Sequence, residues 1–190
     1  MTELPNTESK ENIDATLSIV YAEKEDIEKI IEWDEQARLA SIGEGYDEQG
    51  LVRKRKFFEE TLGKEDKNLV LIQNSLDENI GFALISTTPE DLSGWDLIEK
   101  PEVPLPEDIG ENTAFLRSIA IDPVHRGQGH GTQVLKQLEK AYKNRGRSYF
   151  VLEMGEKNVG MQKTAKDYNF ALVRGSEGYE DKMLLAWKKI

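Results

Sequence analysis

The chain has 190 residues and a net charge of −11, with 36 acidic residues against 25 basic ones. It contains no cysteine, which excludes disulfides, a thiolate nucleophile and cysteine metal sites, and its two histidines make a histidine metal site improbable. The acidic balance disfavours nucleic acid, no apolar run approaches a membrane span, and the polar first residues are unlike a signal peptide. We therefore expect a cytoplasmic protein with no metal, no nucleic-acid partner and no membrane partner.

The length suits a single domain, which we place at 15–190 after a disordered lead-in at 1–14. Hydrophobic periodicity within it predicts a mixed order of strands and helices. In chain order these are a strand at 16–22, helices at 26–40 and 51–62, strands at 68–73, 80–87 and 113–121, a helix at 129–144, a strand at 148–154, a helix at 159–168, and strands at 170–173 and 182–188. Residues 88–112 hold four of the six prolines and predict an irregular connection.

Residues 121–131, with the sequence IDPVHRGQGHG, separate a predicted strand from a predicted helix. Glycines at alternate positions let the backbone bend tightly and approach a ligand, and the first N–H groups of the helix point the same way. This arrangement predicts an anion site suited to phosphate. The stretch lacks the lysine of a P-loop and the acidic residue of a dinucleotide site.

The pattern Arg126-x-x-Gly129-x-Gly131, preceded by the sequence LRSIAIDP at 116–123, resembles the acetyl-CoA signature of the GCN5-related N-acetyltransferase (GNAT) superfamily. The resemblance extends over about 16–188 and is most specific over 114–144. It implies the α/β GNAT fold, with a mixed central sheet of about seven strands, flanking helices and a splay between strands 4 and 5. It also implies an N-acetyltransferase that moves an acetyl group from acetyl-CoA, the acyl donor, to a primary amine by direct attack.

In this family the pantetheine arm of CoA lies in the splay, along main-chain groups of the fourth strand, and the pyrophosphate lies over the glycine loop. The resemblance therefore assigns cofactor binding to Ile119, Ala120, Ile121, Arg126, Gly127, Gln128, Gly129, His130, Gly131, Thr132 and Asn158. The arginine either pairs with phosphate or braces the loop. Residues 124–147 carry six basic residues and one acidic residue, a balance that would steer a polyanion such as CoA to this loop.

The residues that would donate and accept protons in the reaction match the family pattern less well than the cofactor-binding residues do. Thr164 stands where relatives commonly have a tyrosine that protonates the departing thiolate. Tyr168 lies one turn further on the same helix face and is a candidate general acid; alternatively, the thiolate leaves unaided. Glu153, on the fifth strand, is a candidate general base that acts directly or through water.

Period-two alternation predicts that Phe115, Arg117 and Ile119 share one face of the fourth strand, and the resemblance turns that face toward the acceptor. Arg117 stays protonated and cannot act as a base, but it could bind a carboxylate of the acceptor or pair with an acid of 86–112. That segment holds eight acidic residues and one lysine, which favours a cationic acceptor instead.

The acceptor is therefore expected to be a small-molecule or peptide amine of either charge. The missing tyrosine and Arg117 also leave open a different class of protein, a non-catalytic GNAT-fold module that binds CoA or acyl-CoA as a sensor or partner. A homodimer formed through an edge strand near the C-terminus stays open as well.

Overall fold

The computed structural model describes residues 17–88, 106–110, 112–174 and 183–190, so the predicted lead-in and most of the acidic connection lie outside the described residues. The described elements follow the predicted order. The strands are β1 (Ser18–Tyr21), β2 (Lys67–Gln73), β3 (Asn79–Ser86), β4 (Thr113–Ile121), β5 (Tyr149–Gly155), β6 (Ala171–Arg174) and β7 (Met183–Lys189), and the helices are α1 (Ile27–Ile42), α2 (Glu48–Thr61), α3 (His130–Asn144) and α4 (Val159–Asp167).

The strands form one sheet in the order β1-β2-β3-β4-β5-β7-β6. The β4–β5 pair is parallel and the other described pairs are antiparallel. This mixed seven-stranded sheet confirms the predicted α/β fold. None of the described helices is long and apolar enough to cross a membrane.

Helices cover both faces of the sheet and bury two apolar layers. On one face, Val134, Leu135 and Leu138 of α3 pack with strand residues such as Phe150, because apolar residues at helical spacing form a single stripe. On the other face, residues of α1 and α2 pack against β2, β3 and β4. Its largest members, all fully buried, are Trp33, Phe58 and Phe82.

The second helix begins three residues earlier than predicted. The Asp47 side chain accepts a hydrogen bond from the Gly50 amide at 2.6 Å, an N-cap that starts α2 at Glu48. The preceding helix ends at Gly43, which adopts φ +86°. A connection of only five residues therefore joins α1 to α2, and it forms part of a cavity wall described below.

A β-bulge interrupts β4 at Arg117. The register with β3 changes from Leu84↔Ser118 to Ile85↔Leu116, so Arg117 has no partner residue on that strand. An extra residue of this kind inverts the alternation of side chains beyond it. The prediction that Phe115, Arg117 and Ile119 share a face is therefore wrong for Ile119, whereas Phe115 and Arg117 do lie on the same face.

The packing on either side of the bulge shows the inversion. Phe115 packs with Val151 and Leu185 on the α1–α2 face of the sheet. Ile119, beyond the bulge, packs against the core of the α3–α4 face instead. Ser118 points toward α1, where its hydroxyl donates a hydrogen bond to Asp34 Oδ1 at 3.0 Å.

Candidate active site

The parallel pair at the centre of the sheet separates soon after it begins. β4 and β5 pair from Thr113↔Tyr149 to Leu116↔Leu152, and within the described strands the ladder goes no further. β5 continues to pair with β7 up to Gly155. Beyond Leu116 the edge of β4 is therefore not paired with β5, and an extended ligand amide could bind main-chain groups there.

The glycine loop lies at the end of this open strand. Gly127 and Gly129 have φ +77° and +81°, and a Cβ built on either meets no described atom within 4 Å. Gly129 is the N-cap of α3 and supplies no side-chain cap, so the first amides of that helix are available to an anion. The local conformation thus has the two properties expected of a phosphate cradle, close backbone approach and exposed N–H donors.

The side chains of the loop mostly hold its own backbone. Arg126 Nε donates to the Ile121 carbonyl at 2.8 Å, which braces the loop against the end of β4. The buried His130 ring places Nδ1 3.2 Å from the His125 carbonyl. Of the two roles considered for Arg126, its Nε therefore performs the bracing one, and the residue also lines the cleft.

The first turn of α4 forms the opposite wall. Asn158 caps this helix by accepting a hydrogen bond from the Met161 amide at 3.1 Å. Thr164 lines the cleft, and its hydroxyl donates to the Gly160 carbonyl at 3.0 Å. A Cβ on Gly131 would lie 3.8 Å from Thr164 Cγ2, an ordinary van der Waals contact, so α3 and α4 lie close together at this point.

These elements enclose a cleft of about 510 Å³. Its wall contains every residue predicted to bind the cofactor except Gln128, whose amide donates to the Val124 carbonyl at 3.4 Å within the loop. The third wall comes from α1, through the small side chains of Ala37, Ala40 and Ser41. Sequence reasoning missed this wall because small residues on a helix look like ordinary surface.

Tyr168 does not line this cleft. Its hydroxyl is hydrogen bonded to Glu139 of α3, and Lys188 Nζ lies 4.0 Å from the centre of its ring. Burial, together with the hydrogen bond and the charge of Glu139, raises the pKa of Tyr168 above its ordinary value. The structure thus places this tyrosine against α3 and β7, outside the cleft wall.

Glu153 lies on β5 one residue beyond the last β4–β5 pair, where it is half-buried. By alternation it shares the sheet face of Val151, which is the α1–α2 face. Arg117 occupies the matching position on β4, one residue beyond Leu116. The two charged residues therefore mark the point at which the strands diverge, although neither borders the cleft.

A second cavity, of about 690 Å³, adjoins β4 on the α1–α2 face. We call it the basic cavity, because its wall combines four basic and two acidic side chains with aromatic residues and glycines. Its lining residues are Arg38, Glu44, Gly45, Tyr46, Asp47, Gly50, Arg53, Lys54, Phe57 and Arg117.

A buried carboxylate organises the floor of the basic cavity. Asp34 is 6% exposed and accepts a hydrogen bond from the Tyr46 hydroxyl at 2.7 Å, while Lys54 Nζ lies 3.1 Å from the same oxygen. Its other oxygen receives the Ser118 hydroxyl at the bulge. Burial and the neighbouring Asp34 charge raise the pKa of Tyr46 well above its ordinary value, so this phenol stays protonated at neutral pH.

Sequence reasoning missed the basic cavity except for Arg117. Its residues come from α1, α2 and their connection, and the contacts that assemble it join positions far apart, such as Asp34 and Ser118. The run of four basic residues at 53–56 was an available signal. Among the described residues, no group of histidine and acidic side chains could hold a metal ion.

A model of the acetyltransferase (GNAT) family matches residues 21–170, which include the cleft, the glycine loop and the basic cavity. This match spans most of the chain, and the splayed sheet agrees with it. The chain therefore belongs to the GNAT acetyltransferase family. No curated protein sequence gives a significant match.

Solved structures of bacterial proteins have the same fold. An acetyltransferase of Salmonella typhimurium that modifies the N-terminal serine of ribosomal protein L7/L12 is 15% identical, with a TM-score of 0.67 over 92% of this chain and 95% of that one. A Salmonella typhimurium protein solved with its cofactor acetyl-CoA is 17% identical, with a TM-score of 0.58 over 91% and 93%. A spermidine N-acetyltransferase of Vibrio cholerae, solved as a mutant, is 12% identical, with a TM-score of 0.62 over 92% and 94%.

Proposed function

We propose that this protein is an acetyl-CoA-dependent N-acetyltransferase that acetylates a primary amine by direct attack. The observation that carries the proposal is the meeting of two cavities at the β4 bulge. Arg117 borders the basic cavity, and Ile119, two residues further on, borders the cleft. A donor in the cleft and an acceptor in the basic cavity would thus meet across a short piece of one strand.

The cleft fits acetyl-CoA in shape and donor chemistry. The open edge of β4 suits the amides of a pantetheine arm, and the space above Gly127 and Gly129 suits a pyrophosphate. The structure solved with acetyl-CoA shares this fold. Each of these fits supports acetyl-CoA as the acyl donor.

The reaction that this arrangement supports is a single transfer. The neutral amine nitrogen forms a bond to the thioester carbon, the carbon–sulfur bond breaks, and the sulfur leaves as a thiolate. Because the chain has no cysteine, no protein thiol takes up the acetyl group on the way. The amine then loses one proton and the thiolate gains one.

We propose that Glu153 accepts the proton that the amine loses, directly or through water, because Glu153 lies where β4 and β5 diverge. Glu153→Gln keeps the size of the side chain and removes its basicity. It should lower kcat by roughly a hundredfold, the lower end of the range for a general base, and leave CoA affinity unchanged. An unchanged kcat would exclude this role.

Among the described residues, the cleft wall offers no tyrosine to protonate the leaving thiolate. The Thr164 hydroxyl, in the position usual for a tyrosine, already donates to Gly160. We therefore propose that the thiolate departs with water or backbone donors for stabilisation, which is feasible for a group with the pKa of an ordinary thiol.

Two measurements test the proposal. A CoA titration followed by thermal melting should raise Tm by about 5–10 °C at a hundredfold excess over Kd. Thiol release from acetyl-CoA, measured with a panel of amines, should then show turnover. Binding without turnover of any amine would favour the non-catalytic CoA-binding module, and absence of both would refute the cleft as a CoA site.

A further inference from the structure

A lysine of α4 borders the cleft without an ionic partner. Apart from two histidines, the charged side chains that line the cleft are Arg126, Lys163 and Asp167. Arg126 Nε donates to the Ile121 carbonyl at 2.8 Å, so one edge of that guanidinium is committed to the loop. Lys163 is exposed, and it forms no ion pair in the part of the chain that the structure describes. Its ammonium group is therefore available to a ligand in the cleft.

The position of Lys163 on α4 sets it opposite the first turn of α3. The next residue, Thr164, lies beside this turn, since a Cβ built on Gly131 would be 3.8 Å from Thr164 Cγ2. The turn begins at Gly129, which supplies no side-chain cap to the first amides of the helix. An anion bound to these amides would thus have N–H donors on one side and the Lys163 wall on the other. The flexible four-carbon stem of a lysine lets its charge follow such an anion.

Asp167 shows which end of the α4 wall suits a phosphate. It lies four residues after Lys163 and also lines the cleft, so the two side chains share one helix face. Opposite charges at this spacing often pair, but less well when the lysine comes first, and here no ion pair joins them among the described residues. Asp167 belongs to the last turn of α4, beyond Thr164. A phosphate is therefore favoured at the Lys163 end of this face and repelled at the other.

We propose that Lys163 binds a phosphate group of the acyl donor. The inference rests on the proposed function and adds Lys163 to the donor-binding residues, of which the family resemblance assigns only Asn158 to this wall. CoA carries a pyrophosphate and a 3′-phosphate, and the ammonium group can pair with either. Because these phosphates are remote from the thioester carbon, the contact is equally strong before and during acetyl transfer. It should therefore affect donor binding and not the chemical step.

Lys163→Gln tests the residue, because it removes the charge and keeps most of the stem. Calorimetric titration should show CoA binding about threefold to tenfold weaker than in the wild type, as expected for one exposed charge paired with a phosphate. In steady-state assays KM for acetyl-CoA should rise by the same factor with kcat unchanged. The loss should shrink as NaCl is raised from about 0.1 M to about 1 M, because the Debye length falls from about 10 Å to about 3 Å.

Dephospho-CoA identifies the phosphate, since it lacks only the 3′-phosphate. If Lys163 pairs with the 3′-phosphate, Lys163→Gln should weaken CoA binding and leave dephospho-CoA binding unchanged. If it pairs with the pyrophosphate, binding of both ligands should weaken. Either result supports the inference. Unchanged binding of both ligands would overturn it.

Two further variants control for general charge and for side-chain shape. Lys166→Gln removes the same charge from an exposed side chain of α4 outside the cleft wall, so its CoA affinity should stay within about twofold of the wild type. Lys163→Arg keeps the charge and should retain most of the affinity. Equal losses in Lys163→Gln and in either control would overturn the inference. Absence of CoA binding by the wild type would instead refute the proposed function itself.

Discussion

Gly129 allows the phosphate loop to be tested separately from the stability of the fold. The residue adopts φ +81°, and a Cβ built on it meets no described atom within 4 Å. A side chain there would therefore strain the backbone without a clash, and it would project where the cleft lies. Gly146, which follows α3 at its other end, has φ +79° and equally open surroundings, but it does not line the cleft.

Gly129→Glu should have two effects of different size: backbone strain should lower stability, and charge repulsion should lower CoA affinity. A left-handed conformation costs about 1–2 kcal/mol for a residue with a side chain, which lowers Tm by about 2–8 °C in a protein of this size. A carboxylate about 5 Å from a phosphate adds about 1–3 kcal/mol of repulsion per phosphate charge, for an effective dielectric constant of about 20–80. Two such charges would weaken CoA binding at least about thirtyfold.

Gly146→Glu is the matched control, because it carries the same strain and the same charge outside the cleft. Thermal melts should show a similar loss of Tm in both variants, and calorimetric titration with CoA should show a loss of affinity only in Gly129→Glu. A folded Gly129→Glu protein with normal CoA affinity would refute the loop as the pyrophosphate site. Equal losses of affinity would attribute the effect to strain in α3.

Three further substitutions test particular contacts. Tyr168→Phe should leave kcat unchanged, because the hydroxyl bonds to Glu139 rather than lining the cleft; a roughly hundredfold fall would establish it as the general acid. Trp33→Phe removes the indole donor 3.0 Å from Asp122, which begins the loop, so Tm should fall and KM for acetyl-CoA should rise in steady-state assays; an unchanged KM would contradict this link. Burial opposes ionisation of Glu139, but hydrogen bonds from Lys188 and Tyr168 outweigh it and lower its pKa, so its stabilisation is present at neutral pH and lost as pH falls below about 4. Glu139→Gln should therefore flatten the acid side of the Tm profile, and an unchanged slope would argue against the assignment.

The features that could be predicted from the sequence are those that depend on local chemistry. Gly127 and Gly129 were expected to permit an unusual backbone, and both adopt a positive φ. Asn158 was expected after the fifth strand, and it caps α4 at the cleft wall. Gly131 differs from these two glycines, because its backbone is helical and a Cβ on it would make only an ordinary contact with Thr164. Residue type alone does not distinguish these two conformations of glycine.

The features that could not be predicted depend on contacts between residues that are far apart in the sequence. A bulge is a mismatch between two strands, so the sequence of β4 by itself gives no sign that Arg117 is the extra residue. The basic cavity depends on contacts such as that between Asp34 and Ser118, which are 84 residues apart. Tyr168 was predicted to share a helix with Thr164, but α4 ends at Asp167 and Tyr168 is its C-cap residue, with its hydroxyl bonded to Glu139 of α3.

The bulge at Arg117 explains why the cleft and the basic cavity lie on opposite sides of one strand. A regular β4 would keep alternate residues on the same face, so Arg117 and Ile119 would both face α1 and α2. The extra residue sends Ile119 to the α3 side and turns Ser118 toward Asp34, which ties the strand to α1 at this point. The same helix borders both cavities, with Arg38 in the basic one and small residues in the cleft. Because one backbone irregularity positions both walls, a change that restored regular β4 pairing should disturb the cleft and the basic cavity together, whereas Gly129→Glu should alter the cleft alone.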